Sequence, residues 1–221
     1  MSKQVSPQKP LVEVYQLRVY VRSVSPMVWR RLLVRSDSTI ADLHHTLQAV
    51  MEWHDAYLHH FLIRGKRYGI ARIGTWGFMD RADRVQLQHF NWRLNEKFLY
   101  EYNYYDEWQL VIRVEARLPL ALDEAYPRCI GGKRAAPLED CGGAWRFMEL
   151  KQHYSPLFIL ERFQTILGDP DLEETRWDYA GEIKQLLYWL DIDHFDRRTV
   201  NRRLREFFNK ESETEEDADD N

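Results

Sequence analysis

Two stretches of near-strict alternation constrain this chain most. Phe98, Tyr100, Tyr102 and Tyr104 alternate with Glu101 and Asn103; after Asp106-Glu107, Trp108, Leu110, Ile112 and Val114 alternate with Gln109, Arg113 and Glu115. Period-two patterning puts all the large apolar groups on one face, which is what a half-buried strand requires. The pair reads as a long hairpin, although its turn lacks the glycine that tight hairpins favour. A second pair precedes it. Tyr15, Leu17, Val19 and Val21 oppose Gln16, Arg18 and Arg22; Ser25-Pro26 breaks the run, and Val28, Leu32 and Val34 then alternate against Arg31 and Arg35.

Between the two pairs lies a helix. Thr39 and Asp42 form a capping box, and Ile40, Leu43, Leu47, Val50 and Met51 recur at helical spacing. Phe61–Ile63 and Lys66–Tyr68, split by Gly65, read as a short hairpin, whereas residues 74–95 lack a period and read as a loop with a Trp-rich insertion. The last third is helical in pattern. Leu157, Leu160, Phe163 and Leu167 form one stripe, Ile183, Leu186, Leu187 and Leu190 a second, and Val200, Leu204, Phe207 and Phe208 a third. This order predicts an α+β fold with a mixed or antiparallel sheet packed on helices and a helical C-terminal part. The expected organisation is a flexible tail over 1–10, one domain over 11–208, and a disordered acidic tail over 209–221.

That acidic tail distorts the net charge of −4, because Glu211–Asn221 holds seven acids and no base, and the remainder carries 31 bases against 28 acids. A like-charge run without apolar residues has nothing to bury. No apolar run approaches the roughly 20 residues of a membrane span, and the first ten residues lack a signal-peptide core. Two cysteines among 221 residues make no disulfide framework. A cytoplasmic location with reduced thiols is the expectation, with no membrane partner.

Several ordered blocks resemble the plasmid ORF-three-like family: Ser25-Pro26-Met27-Val28-Trp29-Arg30-Arg31, Leu43-His44 with Gln48 and Met51-Glu52-Trp53, Leu58-His59-His60-Phe61, Arg64-Gly65 with Tyr68, Tyr126-Pro127-Arg128-Cys129, Gly132-Lys133-Arg134-Ala135, Glu139-Asp140-Cys141-Gly142-Gly143 and Asn201-Arg202-Arg203-Leu204. The resemblance spans roughly residues 11–208. It implies a compact fold of β-grasp or roll character in a protein associated with plasmids and insertion sequences, often labelled a TnpR-type passenger. That label names a genetic neighbourhood; nothing around the N-terminal serines reads as a recombinase. The chain departs from the family where a Gly-Asp-x-Trp-x-His element becomes Tyr105-Asp106-Glu107-Trp108-Gln109-Leu110, where His-Leu-His becomes Tyr57-Leu58-His59, and where a frequent cysteine is Ala136.

The Gly/Pro-punctuated segment Tyr126–Trp145 is the candidate site, since long ordered loops in compact domains are usually functional. We expect a ligand or partner surface from Asp106, Trp108, Lys133, Arg134, Glu139, Asp140, Gly142 and Gly143. Lys133 and Arg134 after two glycines have the composition of an anion-binding element, and Glu139-Asp140 suit the N-terminus of a helix starting near Gly143. Cys129, Cys141 and His153 fall one ligand short of a structural zinc set, so no metal or cofactor is expected. His44 and His59 project toward a common helix–sheet seam. On the last helix Arg198, Arg202 and Arg205 share one stripe, flanked by Arg197 and Arg203, which suits phosphates. These features favour a non-enzymatic module binding DNA, RNA or another protein of the same element. The rival is a metal-dependent hydrolase using Asp106, Glu139, Asp140 and a histidine. A third reading is self-association through an aromatic patch from Trp76–Trp92.

Overall fold

A computed structural model describes residues 11–70 and 80–219. The strands are β1 (Glu13–Val21), β2 (Trp29–Arg35), β3 (His59–Ile63), β4 (Lys66–Gly69), β5 (Asp80–Arg81), β6 (Lys97–Tyr102), β7 (Trp108–Pro119) and β8 (Arg128–Lys133). They join in one sheet in the order β5-β4-β3-β6-β7-β1-β2-β8. Every pairing is antiparallel except β4 with the two-residue β5. The helices are α1 (Ile40–Met51), α2 (Gly143–His153), α3 (Pro156–Leu167), α4 (Leu172–Leu190) and α5 (Arg197–Asp219). The class is α+β. The backbone of α5 runs on through most of the acidic segment, as far as Asp219.

One sheet face carries the core. Tyr15, Leu17, Val19 and Val21 of β1 line up with Trp108, Leu110, Ile112 and Val114 of β7 and with Phe98, Tyr100 and Tyr102 of β6, all buried. Burial of each large side chain contributes roughly 2–3 kcal/mol. α1 supplies Ile40, Leu43, Leu47, Val50 and Met51 to the same core, and its start is fixed by the capping box that Thr39 and Asp42 make. α5 packs against α1 and β8. The opposite sheet face is polar, and there Glu115 receives Arg31 at 2.6 Å, Arg113 at 2.8 Å and Gln16 at 3.0 Å.

Four local features differ from the sequence reading. The β6–β7 turn dispenses with glycine because Asn103 (φ 53°) and Glu107 (φ 51°) take the left-handed positions, and the Asn103 carbonyl accepts the Asp106 and Glu107 amides at 3.0 and 2.7 Å. The segment read as a loop over 74–95 holds β5 and a 3-10 helix, Leu87–Phe90; residues 71–79 lie outside the described residues. Trp92 is fully buried, stacked between Phe90 and Phe98 at 5.2 and 4.6 Å, so it supplies no exposed aromatic patch. Such short elements carry no period to detect. The start of the Gly/Pro segment is itself a strand, β8, paired with β2. On α3 the residues turned inward are Ile159 and Ile166, leaving Leu157, Leu160 and Leu167 outside.

Candidate functional site

The C-terminal half of the Gly/Pro segment is fastened to the β6–β7 hairpin. Asp106 accepts the Gly142 amide through Oδ2 at 2.9 Å, while the Trp108 indole donates to the Glu139 carbonyl at 2.9 Å. Gly143 (φ 75°) lies so close that a Cβ there would sit 2.1 Å from the Asp106 carbonyl oxygen. Gly142 (φ 88°) is the N-cap of α2. The acid at the start of α2 is therefore Asp106, from the hairpin, in place of the expected Glu139-Asp140 pair.

Glu139 points inward. Its side chain, 7% exposed, accepts the His54 amide at 3.0 Å, lies 2.8 Å from His54 Nδ1 and accepts the Tyr102 hydroxyl. Burial, then the Glu139 hydrogen bond, drives the Tyr102 pKa far above the usual phenol range. Trp53, stacked on Tyr102 at 5.1 Å, donates to the Pro137 carbonyl at 3.0 Å, and Tyr188 of α4 donates to that of Ala136 at 2.8 Å. Asp140 beside Tyr57 raises that phenol's pKa. Residues 136–143 are thus tied to the segment after α1, to the hairpin and to α4.

These ties leave a cleft of about 1040 Å³ between α1, segment 136–139, α4 and α5. Gln48, Glu52, Asp55, Glu139, Lys184 and Arg203 give it its polar lining. At its floor is a hydrogen-bonded cluster. His44 Nε2 meets Asp55 Oδ1 at 2.9 Å, and His44 Nδ1 meets the Tyr100 hydroxyl at 2.8 Å. Gln48 donates to that hydroxyl at 2.8 Å and accepts the Asp55 amide at 2.9 Å. The His59 ring stacks on His44 at 3.5 Å with planes 9° apart. The two histidines do meet at the helix–sheet seam, whereas His60 faces the other side beside Glu101 and Tyr104.

Other candidates lie elsewhere. The two β8 glycines answer close packing: a Cβ at Gly132 would come within 2.5 Å of Phe195, and one at Gly131 would touch Trp29. Neither has the positive φ of an anion-binding nest. Arg134 pairs with Asp193 at 2.9 Å and donates to the Met27 carbonyl at 2.9 Å, while Lys133 is exposed. Cys129 is buried and donates to the Gly131 carbonyl at 3.3 Å; burial pushes the Cys141 pKa up to about 12. Trp108, fully buried, braces the segment from beneath. Arg198, Arg202 and Arg205 are exposed on α5; of their neighbours, Arg203 pairs with Glu52 at 2.8 Å and Arg197 donates to the Ile130 carbonyl at 3.3 Å.

Sequence reasoning passed over two residues. Asp55 sits in the left-handed region (φ 56°), a conformation only neighbouring contacts reveal. Arg30, at an inward strand position, is wholly buried and donates to the carbonyls of Val50 at 3.2 Å, Trp29 at 2.9 Å and Lys133 at 3.2 Å, with Phe195 against its guanidinium. Burial lowers its pKa to about 10. The family block that contains it was legible; its burial was not.

Relatives give the same frame. Uncharacterized protein y4hQ of Sinorhizobium fredii (strain NBRC 101917 / NGR234) is 32% identical over 142 residues, covering 63% of this chain and 72% of that protein. A crystal structure of the protein of unknown function MM3350 from Methanosarcina mazei Go1 superposes with a TM-score of 0.63 at 30% identity, over 86% of this chain and 98% of the other. The family model described as plasmid pRiA4b ORF-3-like protein matches residues 13–203, and the chain belongs to that family.

Proposed function

We propose that residues 11–208 act as one cytoplasmic, non-enzymatic accessory module of a mobile element, and that its task is to hold another protein. The observation that carries this reading is the outer face of the α3–α4 pair. Leu157, Leu160 and Leu167 of α3 are 65%, 54% and 73% exposed, and Trp177, Leu187 and Leu190 of α4 are 75%, 51% and 58% exposed. Arg162 reaches Glu182 at 2.7 Å, and the Tyr179 hydroxyl donates to Asp169 at 2.8 Å, so the helices run antiparallel. That register puts Leu157 and Leu160 at the end of the pair where Leu187 and Leu190 lie. So much apolar surface on two adjacent helices marks an interaction face. Two parallel ridges of leucine suit the apolar side of a partner's amphipathic helix.

The test compares the wild type with the Leu160→Glu/Leu190→Glu variant. Binding partners are captured from the host, purified and reconstituted with both forms, and light scattering follows self-association. The reading expects reconstituted binding that the charged variant loses by more than tenfold, consistent with the few kcal/mol that buried apolar anchors contribute. Equal binding by both forms would overturn it. Self-association abolished by the variant would make a second copy the occupant.

A second reading rests on α5, where Arg198, Arg202 and Arg205 present a cationic stripe. Fluorescence anisotropy with single- and double-stranded DNA and RNA tests it. Phosphate binding predicts a log–log salt slope that shrinks by roughly one unit or slightly less for each arginine replaced by alanine. No binding at low salt removes this reading.

A further inference from the structure

We propose that His44, Asp55 and His59 form a binding site for a divalent first-row transition metal at the floor of the cleft. The three come from different elements: His44 from the middle of α1, Asp55 from the turn after it, and His59 from the first position of β3. Their ligand atoms all lie within 4.8 Å of one another, and both imidazoles are buried. Two imidazoles and one carboxylate select transition metals over calcium or magnesium, which prefer oxygen-rich sets. Three protein ligands leave coordination positions open, as in sites that keep a place for water or a small ligand.

The surroundings have the form of a metal site's outer shell. His44 Nδ1 is held by the Tyr100 hydroxyl at 2.8 Å, and Gln48 ties that hydroxyl to the Asp55 amide. Such bonds fix the tautomer and aim of a ligating ring. Asp55 pays for its place with a left-handed backbone (φ 56°), and strain of this kind gathers at functional sites. Its side chain is 24% exposed and, with Gln48, lines the cleft, which gives an ion a way in. The metal takes the place of the proton between His44 Nε2 and Asp55 Oδ1, and the neutral ring then keeps its one proton on Nδ1, donated to the Tyr100 hydroxyl oxygen. Stacked rings 9° apart do not aim two lone pairs at one point, so binding turns the His59 ring out of the stack.

Chelator-treated full-length protein is titrated with Zn²⁺ and Co²⁺ by calorimetry, and the Co²⁺ adduct is read by its visible bands and by paramagnetically shifted imidazole protons. The expected result is one equivalent per chain with two imidazole ligands. Asp55→Asn, checked for folding by circular dichroism, weakens affinity about 100-fold or more, and His194→Ala at an exposed surface histidine leaves it unchanged. The imidazole count is taken on the unaltered chain and depends on no variant. Sub-stoichiometric binding, an adduct with fewer than two imidazoles, or equal affinity in Asp55→Asn would each overturn the site and leave a purely hydrogen-bonded cluster.

Discussion

Replacing Gly143 by alanine probes the fastening between hairpin and segment directly. The new Cβ would stand 2.1 Å from the Asp106 carbonyl oxygen, against an ordinary carbon–oxygen contact of about 3.3 Å. Backbone must therefore shift by about 1 Å. Overpacking of this kind costs about 1–3 kcal/mol. Left-handed backbone at a non-glycine residue adds about 1–2 kcal/mol, and a displaced Gly142–Asp106 hydrogen bond adds about 1 kcal/mol. Together these give about 3–6 kcal/mol, a large share of the stability of an ordinary domain. Two controls separate the contributions. Gly65→Ala has the same backbone sign (φ 78°) with nothing within 4 Å, so it should lose only the backbone cost of about 1–2 kcal/mol. Gly181→Ala, inside α4 with open space around it, should gain about 0.5–1 kcal/mol. Urea unfolding followed by tryptophan fluorescence measures all three. A Gly143→Ala loss no larger than that of Gly65→Ala would refute the close approach.

Glu139→Ala leaves the buried Tyr102 hydroxyl and the His54 amide without their acceptor, and should cost about 3–5 kcal/mol by the same unfolding assay. Glu115 gives a pH signature: burial alone would raise its pKa, but hydrogen bonds from Arg31, Arg113 and Gln16 and the Arg31 charge outweigh that and hold it at about 2. Its contribution is full above the ordinary carboxylate pKa and fades as pH falls through the folded value, so Glu115→Gln should cost about 1–2 kcal/mol at pH 7, after solvent screening, and little near pH 2. A gap between the two stability curves that does not narrow in acid would contradict this. Cys141, its pKa pushed to about 12 by burial and by the Asp106 charge, should resist iodoacetamide at pH 8 in the folded protein and react once urea unfolds it. Rapid native alkylation, read by mass spectrometry, would contradict a thiol shielded in this way.

The strands of the core announced themselves because period two survives wherever one face is buried, as in β1, β6 and β7. α1 was equally plain, since Thr39 and Asp42 mark its start chemically. β8 escaped because its glycines serve Phe195 and Trp29, contacts that sequence order cannot reveal. On α3 the leucine stripe and the buried Ile159 and Ile166 have similar hydrophobicity, so periodicity could not choose the inner face. The site divided in the same way. Asp106, Glu139, Gly142 and Gly143 were legible as special, and the geometry gives them structural work around a cleft. The cluster at the cleft's floor needed Asp55, whose importance comes from a backbone conformation and not from its surroundings in sequence. His44 and His59 were visible as a pair because helix and strand projection share one seam.

Hydrogen exchange at the Gly142 amide and the Trp108 indole tests most directly whether the segment is held as a fixed wall of the cleft. Both donate into the contact between hairpin and segment, to Asp106 and to the Glu139 carbonyl. Exchange within about tenfold of the slowest β7 amides is the predicted result. Exchange of either proton at the rate of an unprotected surface group, with β7 still protected, would mean that the segment opens independently and that the cleft has no permanent wall.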